Sequence, residues 1–519
     1  MDISKLTLEQ KIGQMFIVAL EGTTLTDAYR QHYLKYKLGN YIYFAANLKD
    51  YKSIRSLSDS LQAVAKEASG LPAFISADQE GGMVMRAFSG TTHFPSNMAI
   101  AASAAADKIE QYGEMAGKEL RSLGINLNHA PDVDVNNNAE NPVIGIRSYG
   151  DCPDMVSKLG VGYINGLQKS GVMANAKHFP GHGDTHVDSH LDLPSIEHDM
   201  KRLNEIELPP FRAAFAGGVD SIMTAHIIFK AIDSELPATL SHKVLTGLLR
   251  EQMGFEGLVI TDCMAMDAIK DHFTTEKGCV MAIKAGADLL CLCRPMDIQA
   301  KCYDMVLEAV KSGEIPMSRI DEAVLRIIKY KEKYDLTTPA TNPSEKYPDH
   351  DKLADEISAG SITLVKNDGG LIPLASKKVF AISPPPYRAN IVDDTIIVQQ
   401  TFCERAAEVL GCEYAEISVN PDDAEISAIV KKTAGNDIVL YATYNAMLNP
   451  GQVGLFKALK AAGKKVILVT LRVPYDYLRM KEADAYVAAY EYTNRAINNT
   501  IKALAGEIEF AGKLPVSNL

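Results

Sequence analysis

The stretch KHFPGHGDTHVDSH, residues 177 to 190, sets His178, His182, His186 and His190 at a strict interval of four. On a helix that spacing would line one face with imidazoles and could grip a metal. Pro180, Gly181 and Gly183 fall among them, and the stretch follows a β-branched run, so it reads as a loop whose side chains need not point together. Structural loop histidines are one outcome; an imidazole working with a carboxylate is another. Asp188 stands two residues before His190, close enough to hydrogen-bond it if the loop curls. A carboxylate beside an imidazole stabilises the imidazolium and fixes its tautomer, giving a proton donor suited to neutral pH.

Asp262 follows the run GLVIT directly. A carboxylate at the carboxyl end of a buried strand can attack an electrophilic carbon, and an Asp capping the helix that follows is an equally good reading of the same position. Asp78, Arg86, Arg147, Lys177 and His178 follow or end three other β-branched runs and mix donors with acceptors. Such an array matches a sugar, whose hydroxyls offer both functions.

The elements that must position these groups form an α/β pattern. Short apolar runs at 14–20, 40–44, 73–77, 125–128, 172–176, 219–224, 257–261 and 287–291 alternate with segments of helical spacing. Eight such units predict a (β/α)8 TIM-type barrel over residues 1–335, with the polar clusters after the strands converging on one mouth. Residues 336–352, with Pro339, Pro343 and Pro348, read as a linker. Further runs at 361–366, 378–383, 437–442, 464–470 and 485–490 predict a smaller α/β sandwich over 353–519, with an open, mostly parallel sheet and helices on both faces.

At 519 residues, with 47% apolar and 23% charged side chains, composition is that of an ordinary globular chain. A net charge of −12 without a basic cluster makes nucleic acid and anionic membranes poor partners. No window is apolar enough to span a bilayer, and the start lacks the basic-then-apolar layout of a secretory signal. The eight cysteines are scattered with no CxxC pair and read as small buried side chains in a reducing compartment, hence a cytoplasmic protein.

The segments DQEGGMVMR, NLNHAPDVDVN, NPVIGIRSYG, KHFPGHGDTHVDSH, MTAHI, PATLS and VITDCMAM occur in this order through the first domain. Together they resemble glycoside hydrolase family 3, in its β-N-acetylglucosaminidase branch, and SITLVKNDGGLIPL resembles the opening of that family's second domain. The resemblance implies a retaining double displacement on a terminal N-acetylglucosamine, from cell-wall muropeptides or chitooligosaccharides. Asp262 would be the nucleophile, His190 paired with Asp188 the acid/base, and Asp78, Arg86, Arg147, Lys177 and His178 would bind the sugar. Neither metal nor cofactor is implied. The chain departs from the family in carrying Cys263 where a second acid often follows the nucleophile, and in having a second domain that compact bacterial members lack.

A phosphorylase using the same residues is the nearest alternative, because an imidazole acid/base does not repel an incoming phosphate as a carboxylate would. A β-glucosidase is disfavoured by the KHFPGHG and DSH segments. A metal-dependent hydrolase built on the four histidines and a non-catalytic sugar-binding protein complete the alternatives.

Overall fold

A computed structural model describes residues 3–186, 188, 192–336, 347–375, 377–390, 392–394, 398–517 and 519. Its first half is a parallel barrel of β1 (Phe16–Ala19), β2 (Asn40–Tyr43), β3 (Phe74–Ala77), β4 (Leu127–Asn128), β5 (Met173–Phe179), β6 (Ser221–Thr224), β7 (Leu258–Thr261) and β8 (Leu290–Leu292). From β1 to β7 each strand pairs with the next in parallel register, and β8 pairs with β1. An isolated bridge from Ile260 of β7 to Leu289, the residue before β8, closes the ring.

These strands are nearly continuous apolar runs because a barrel strand is covered on both faces, by the filled interior and by the outer helices. Every residue of β2, β3, β5, β6, β7 and β8 is buried. The helices carry ordinary end signals. Helix Tyr51–Ser69, for example, starts where Asp50 caps the Ser53 amide and stops at the left-handed Gly70.

The amino-terminal end of the barrel is a stability face. Arg250, Arg319 and Arg326 converge on the buried Asp288 at 2.8, 2.7 and 3.1 Å. Asp288 stands just before β8, at the rim opposite Asp262, so this network anchors the barrel away from the mouth.

The second half is a six-stranded mixed sheet. Its strands are β9 (Thr363–Asn367), β10 (Val379–Ser383), β11 (Glu413–Glu416), β12 (Ile438–Thr443), β13 (Lys465–Thr470) and β14 (Ala485–Ala488), in spatial order β9-β14-β13-β12-β10-β11. Only β9 runs antiparallel to its neighbour. β11 has no counterpart among the predicted strands: its sequence EYAE buries Ala415 alone, so an edge strand there leaves no apolar run to read.

The halves share buried surface. Met83, Met98, Ala99 and Ile146 of the barrel lie in the apolar core of the second sheet, and Leu353, Ala354 and Ile357 of helix Pro348–Ser361 join the barrel's core. Asn136 hydrogen-bonds the Tyr475 hydroxyl at 3.0 Å, and the Ser96 amide donates to the buried Glu491 at 2.9 Å. Among the described residues no helix is long and apolar enough to cross a membrane.

Candidate active site

At the carboxyl ends of the strands a cavity of about 740 Å3 opens, and Asp78, Arg86, Arg147, Lys177, His178 and Asp262 all line it. The loops that sequence reading assigned to one mouth do meet there. Lys177 and His178 belong to β5 itself, which runs to Phe179, so the strand and not the loop aims them.

The floor is a charge network built on a group the sequence reading passed over, Glu80. It lies within the DQEGG segment, in a short antiparallel hairpin (Gln79–Gly81 with Val84–Met85) that follows β3. Arg147 grips Glu80 with two parallel bonds, Nε and Nη2 each at 2.9 Å, while Lys177 Nζ reaches Glu80 at 2.6 Å and Asp78 at 2.9 Å. Burial alone would raise both carboxyls. Lys177 and Arg86 overcome that for Asp78 and hold it well below the usual carboxylate range, and Arg147 and Lys177 hold Glu80 at about 2. Burial would likewise discharge Lys177, but Asp78 and Glu80 keep its pKa above the ordinary value. The cluster is therefore ionised throughout and fixed before any ligand arrives.

Beneath His178 lies a second acidic pair. His178 Nδ1 is 2.7 Å from Asp134 Oδ2, and Asp134 also accepts the His178 and His182 backbone amides at 3.2 and 2.6 Å. Asp132 donates no charge to this arrangement cheaply: burial and the neighbouring Asp134 push its carboxyl well above the normal range, and burial lifts Asp134 to about 6 against those two amides. Burial, then Arg147, lowers His178 to about 4, so its ring is neutral; with Nδ1 donating to Asp134, Nε2 is left as an acceptor.

The histidine array does not act as a unit. His178 and His182 stack edge to face at 5.5 Å and both line the cavity. His186 turns away to Asn138 at 3.2 Å. His190 lies outside the described residues, and Asp188, expected to pair with it, is buried. Asp132, Asp134 and His178 are the one trio among the described residues with donor atoms close enough for a shared cation. Arg147 already stands 3.6 Å from Asp132 and 3.5 Å from His178, so a positive charge is supplied by the protein.

Asp262 caps no helix. The next helix, Asp267–Phe273, has Met266 at its cap, and the Asp262 carboxylate instead accepts its neighbour Cys263's amide at 2.6 Å. That bond turns the chain sharply after β7 while the side chain remains half-buried at the cavity.

The second domain reaches this site. Asp394 Oδ2 is 2.9 Å from Arg86 Nη1 and accepts the Met85 amide at 2.8 Å, and the Val392 carbonyl accepts from Arg86 at 2.8 Å. The buried pair of Asp393 and Arg472, 2.9 Å apart, anchors that loop to its own sheet. Asp394, Val392 and Arg388 line the cavity, and a signal for them could not come from the barrel's own motifs. At the outer wall, Phe44, Met85, Phe88 and Met266 supply apolar surface.

Comparison with known proteins agrees with this geometry. Residues 7–330 match the glycosyl hydrolase family 3 N-terminal domain and residues 362–518 its C-terminal domain. A β-hexosaminidase A of Pseudoalteromonas piscicida is 31% identical, over 95% of this chain and 92% of its own length. A β-N-acetylglucosaminidase/β-glucosidase of Cellulomonas fimi is 28% identical over 86% of this chain and 84% of its own. The solved structure of a glycoside hydrolase family 3 β-N-acetylglucosaminidase from Paenibacillus sp. str. FPU-7 superposes with a TM-score of 0.92 at 37% identity, covering 99% of both chains.

Proposed function

The chain belongs to glycosyl hydrolase family 3, and from that premise we propose that it is a retaining exo-β-N-acetylglucosaminidase releasing terminal N-acetylglucosamine from chitooligosaccharides or cell-wall muropeptides. The observation that carries this reading is the half-buried Asp262 facing a cavity whose other wall is a preformed donor and acceptor cluster of Asp78, Arg86, Arg147, Lys177 and His178.

In the first step the Asp262 carboxylate attacks the anomeric carbon. The glycosidic C–O bond breaks as its oxygen takes the proton of His190, whose imidazolium Asp188 stabilises. In the second step His190 removes a proton from water, the water oxygen attacks the anomeric carbon, and the Asp262 ester bond breaks. Arg147 and Lys177, locked by Glu80, hold sugar hydroxyls without reorganising, which is where preorganisation lowers the barrier. The apolar outer wall gives the departing group a surface to stack on.

Asp262→Ala is expected to lose at least a thousandfold of p-nitrophenol release from the aryl N-acetylglucosaminide, with the fold intact by circular dichroism. Residual turnover above a few per cent would refute the assignment. Running the wild type in phosphate buffer and separating free sugar from sugar 1-phosphate distinguishes hydrolysis from phosphorolysis, and free sugar alone is expected.

A further inference from the structure

A second cavity, of about 630 Å3, shares a wall with the first, because Phe88 lines both. Helix Pro348–Ser361 and helix Asn494–Ala505 form its other sides. Phe88 is 41% exposed, and His93 meets its ring edge to face at 5.1 Å. An exposed ring braced by a neighbour is a stacking platform, and covering it removes apolar area that folding left in water.

Polar groups with unmet hydrogen bonds surround that ring. Asn494, Asn498 and Lys502 stand four residues apart on one face of their helix, and all three line the cavity. The Gln399 amide occupies Asn494 Oδ1 at 2.7 Å, which leaves the Asn494 NH2 as a donor. Asn498 makes no side-chain hydrogen bond, and Lys502 no ion pair, with any described residue. His93 Nε2 donates to the Gly82 carbonyl at 2.8 Å, so Nδ1 is an acceptor, and burial lowers the ring to about 4 and keeps it neutral. The lining's two cations, Arg495 and Lys502, are matched in number by Asp355 and Glu356. A charged ligand gains little from such a balance, whereas a neutral one dense in hydroxyl and amide groups finds both donors and acceptors.

We propose that this cavity binds the reducing-end N-acetylglucosamine units of a chitooligosaccharide whose terminal sugar occupies the barrel site. The chain leaves the barrel cavity over Phe88 and continues into the second, where its acetamido and hydroxyl groups meet Asn494, Asn498 and His93. The assignment rests on the hydrolase reading and narrows it, because the acidic stem peptide of a muropeptide gains nothing from a charge-balanced lining.

Binding and turnover test the two readings separately. In the full chain carrying Asp262→Ala, calorimetry is expected to show chitotetraose binding at least fivefold tighter than chitobiose, which is too short to reach the second cavity. Adding Asn498→Ala and Lys502→Ala, at helix positions where alanine is favourable, should weaken chitotetraose about tenfold and leave chitobiose within twofold. Asn498→Ala alone, expected to cost about threefold, carries the comparison if the double variant does not fold. With Asp262 restored, the same pair should raise KM for chitotetraose about tenfold and leave the aryl N-acetylglucosaminide unchanged. A wild type that binds chitotetraose with this length preference yet releases no N-acetylglucosamine would overturn the hydrolase reading and uphold the cavity. Equal binding of the two lengths, an unchanged chitotetraose affinity in the folded variants, or a loss that is the same for both lengths would overturn the cavity's role.

Discussion

Asp394→Asn isolates what the second domain does for the barrel site. The exchange keeps an acceptor for the Met85 amide and removes the charge facing Arg86. At an effective dielectric of about 20, the carboxylates 2.9 and 3.7 Å from the guanidinium attract it by roughly 6 and 4 kcal/mol before desolvation is counted. After the exchange Asp78 alone faces Arg86, and Asp78 is already shared with Lys177. Removing one partner of a buried pair costs about 2 to 5 kcal/mol, and the surviving carboxylate places this case at the low end, about 2 to 3 kcal/mol. On the reading that Arg86 holds the terminal sugar, kcat/KM for the aryl N-acetylglucosaminide should fall about 30- to 150-fold. Asp394→Ala should fall further, since the Met85 amide then loses its acceptor. A kcat/KM for Asp394→Asn within twofold of the wild type would refute the idea that this loop sets the barrel's binding group.

Three other outcomes follow from the same contacts. Glu80→Gln leaves Arg147 and Lys177 without their shared anion and should destabilise the fold by about 3 kcal/mol at pH 7; because Glu80 sits at about 2 instead of 4.5, its stabilisation is present above pH 4.5 and lost as pH falls toward 2, so denaturant melts of wild type and variant should converge in acid and a constant gap would contradict this. Burial raises Glu491 from 4.5 to about 7, so its neutral form stabilises below pH 4.5 and that contribution disappears as pH rises through 7; Glu491→Gln should therefore gain up to about 3 kcal/mol at pH 8 and nothing at pH 4, and no gain at pH 8 would count against it. Asp188→Asn should slow glycosides of poor leaving groups about a hundredfold more than activated aryl glycosides, as loss of proton donation requires, whereas an equal loss across leaving groups would remove Asp188 from that role.

The barrel was legible because most of its strands are buried on both faces and so spell nearly continuous apolar runs, as LVIT does before Asp262. The site was legible wherever a polar residue directly follows or ends such a run, which covers Asp78, Lys177, His178 and Asp262. Glu80 escaped because its role is to hold Arg147 and Lys177, and a residue acting through others carries no spacing of its own. Asp394 escaped for a different reason: it stands 308 positions after Arg86 in sequence, and the packing of the second sheet on Met83 and Met98 brings it back. β11 was missed because EYAE exposes three of its four side chains, leaving the hydrogen-bonded register with β10 as the only thing that makes it a strand. The prediction that the cysteines are buried fillers fails at Cys152, which is exposed, at Cys263 and Cys293, which face the cavity, and at Cys412, which is half-buried.

The most direct test is to trap the first covalent step. Incubating the enzyme with a 5-fluoro N-acetylglucosaminyl fluoride, digesting it and sequencing the modified peptide by mass spectrometry should find one sugar per chain, attached to Asp262 within VITDCMAM. A sugar on Asp78, Asp267 or any other carboxylate would take the nucleophile's role from Asp262, and inactivation by the reagent with no covalent adduct would contradict the double displacement.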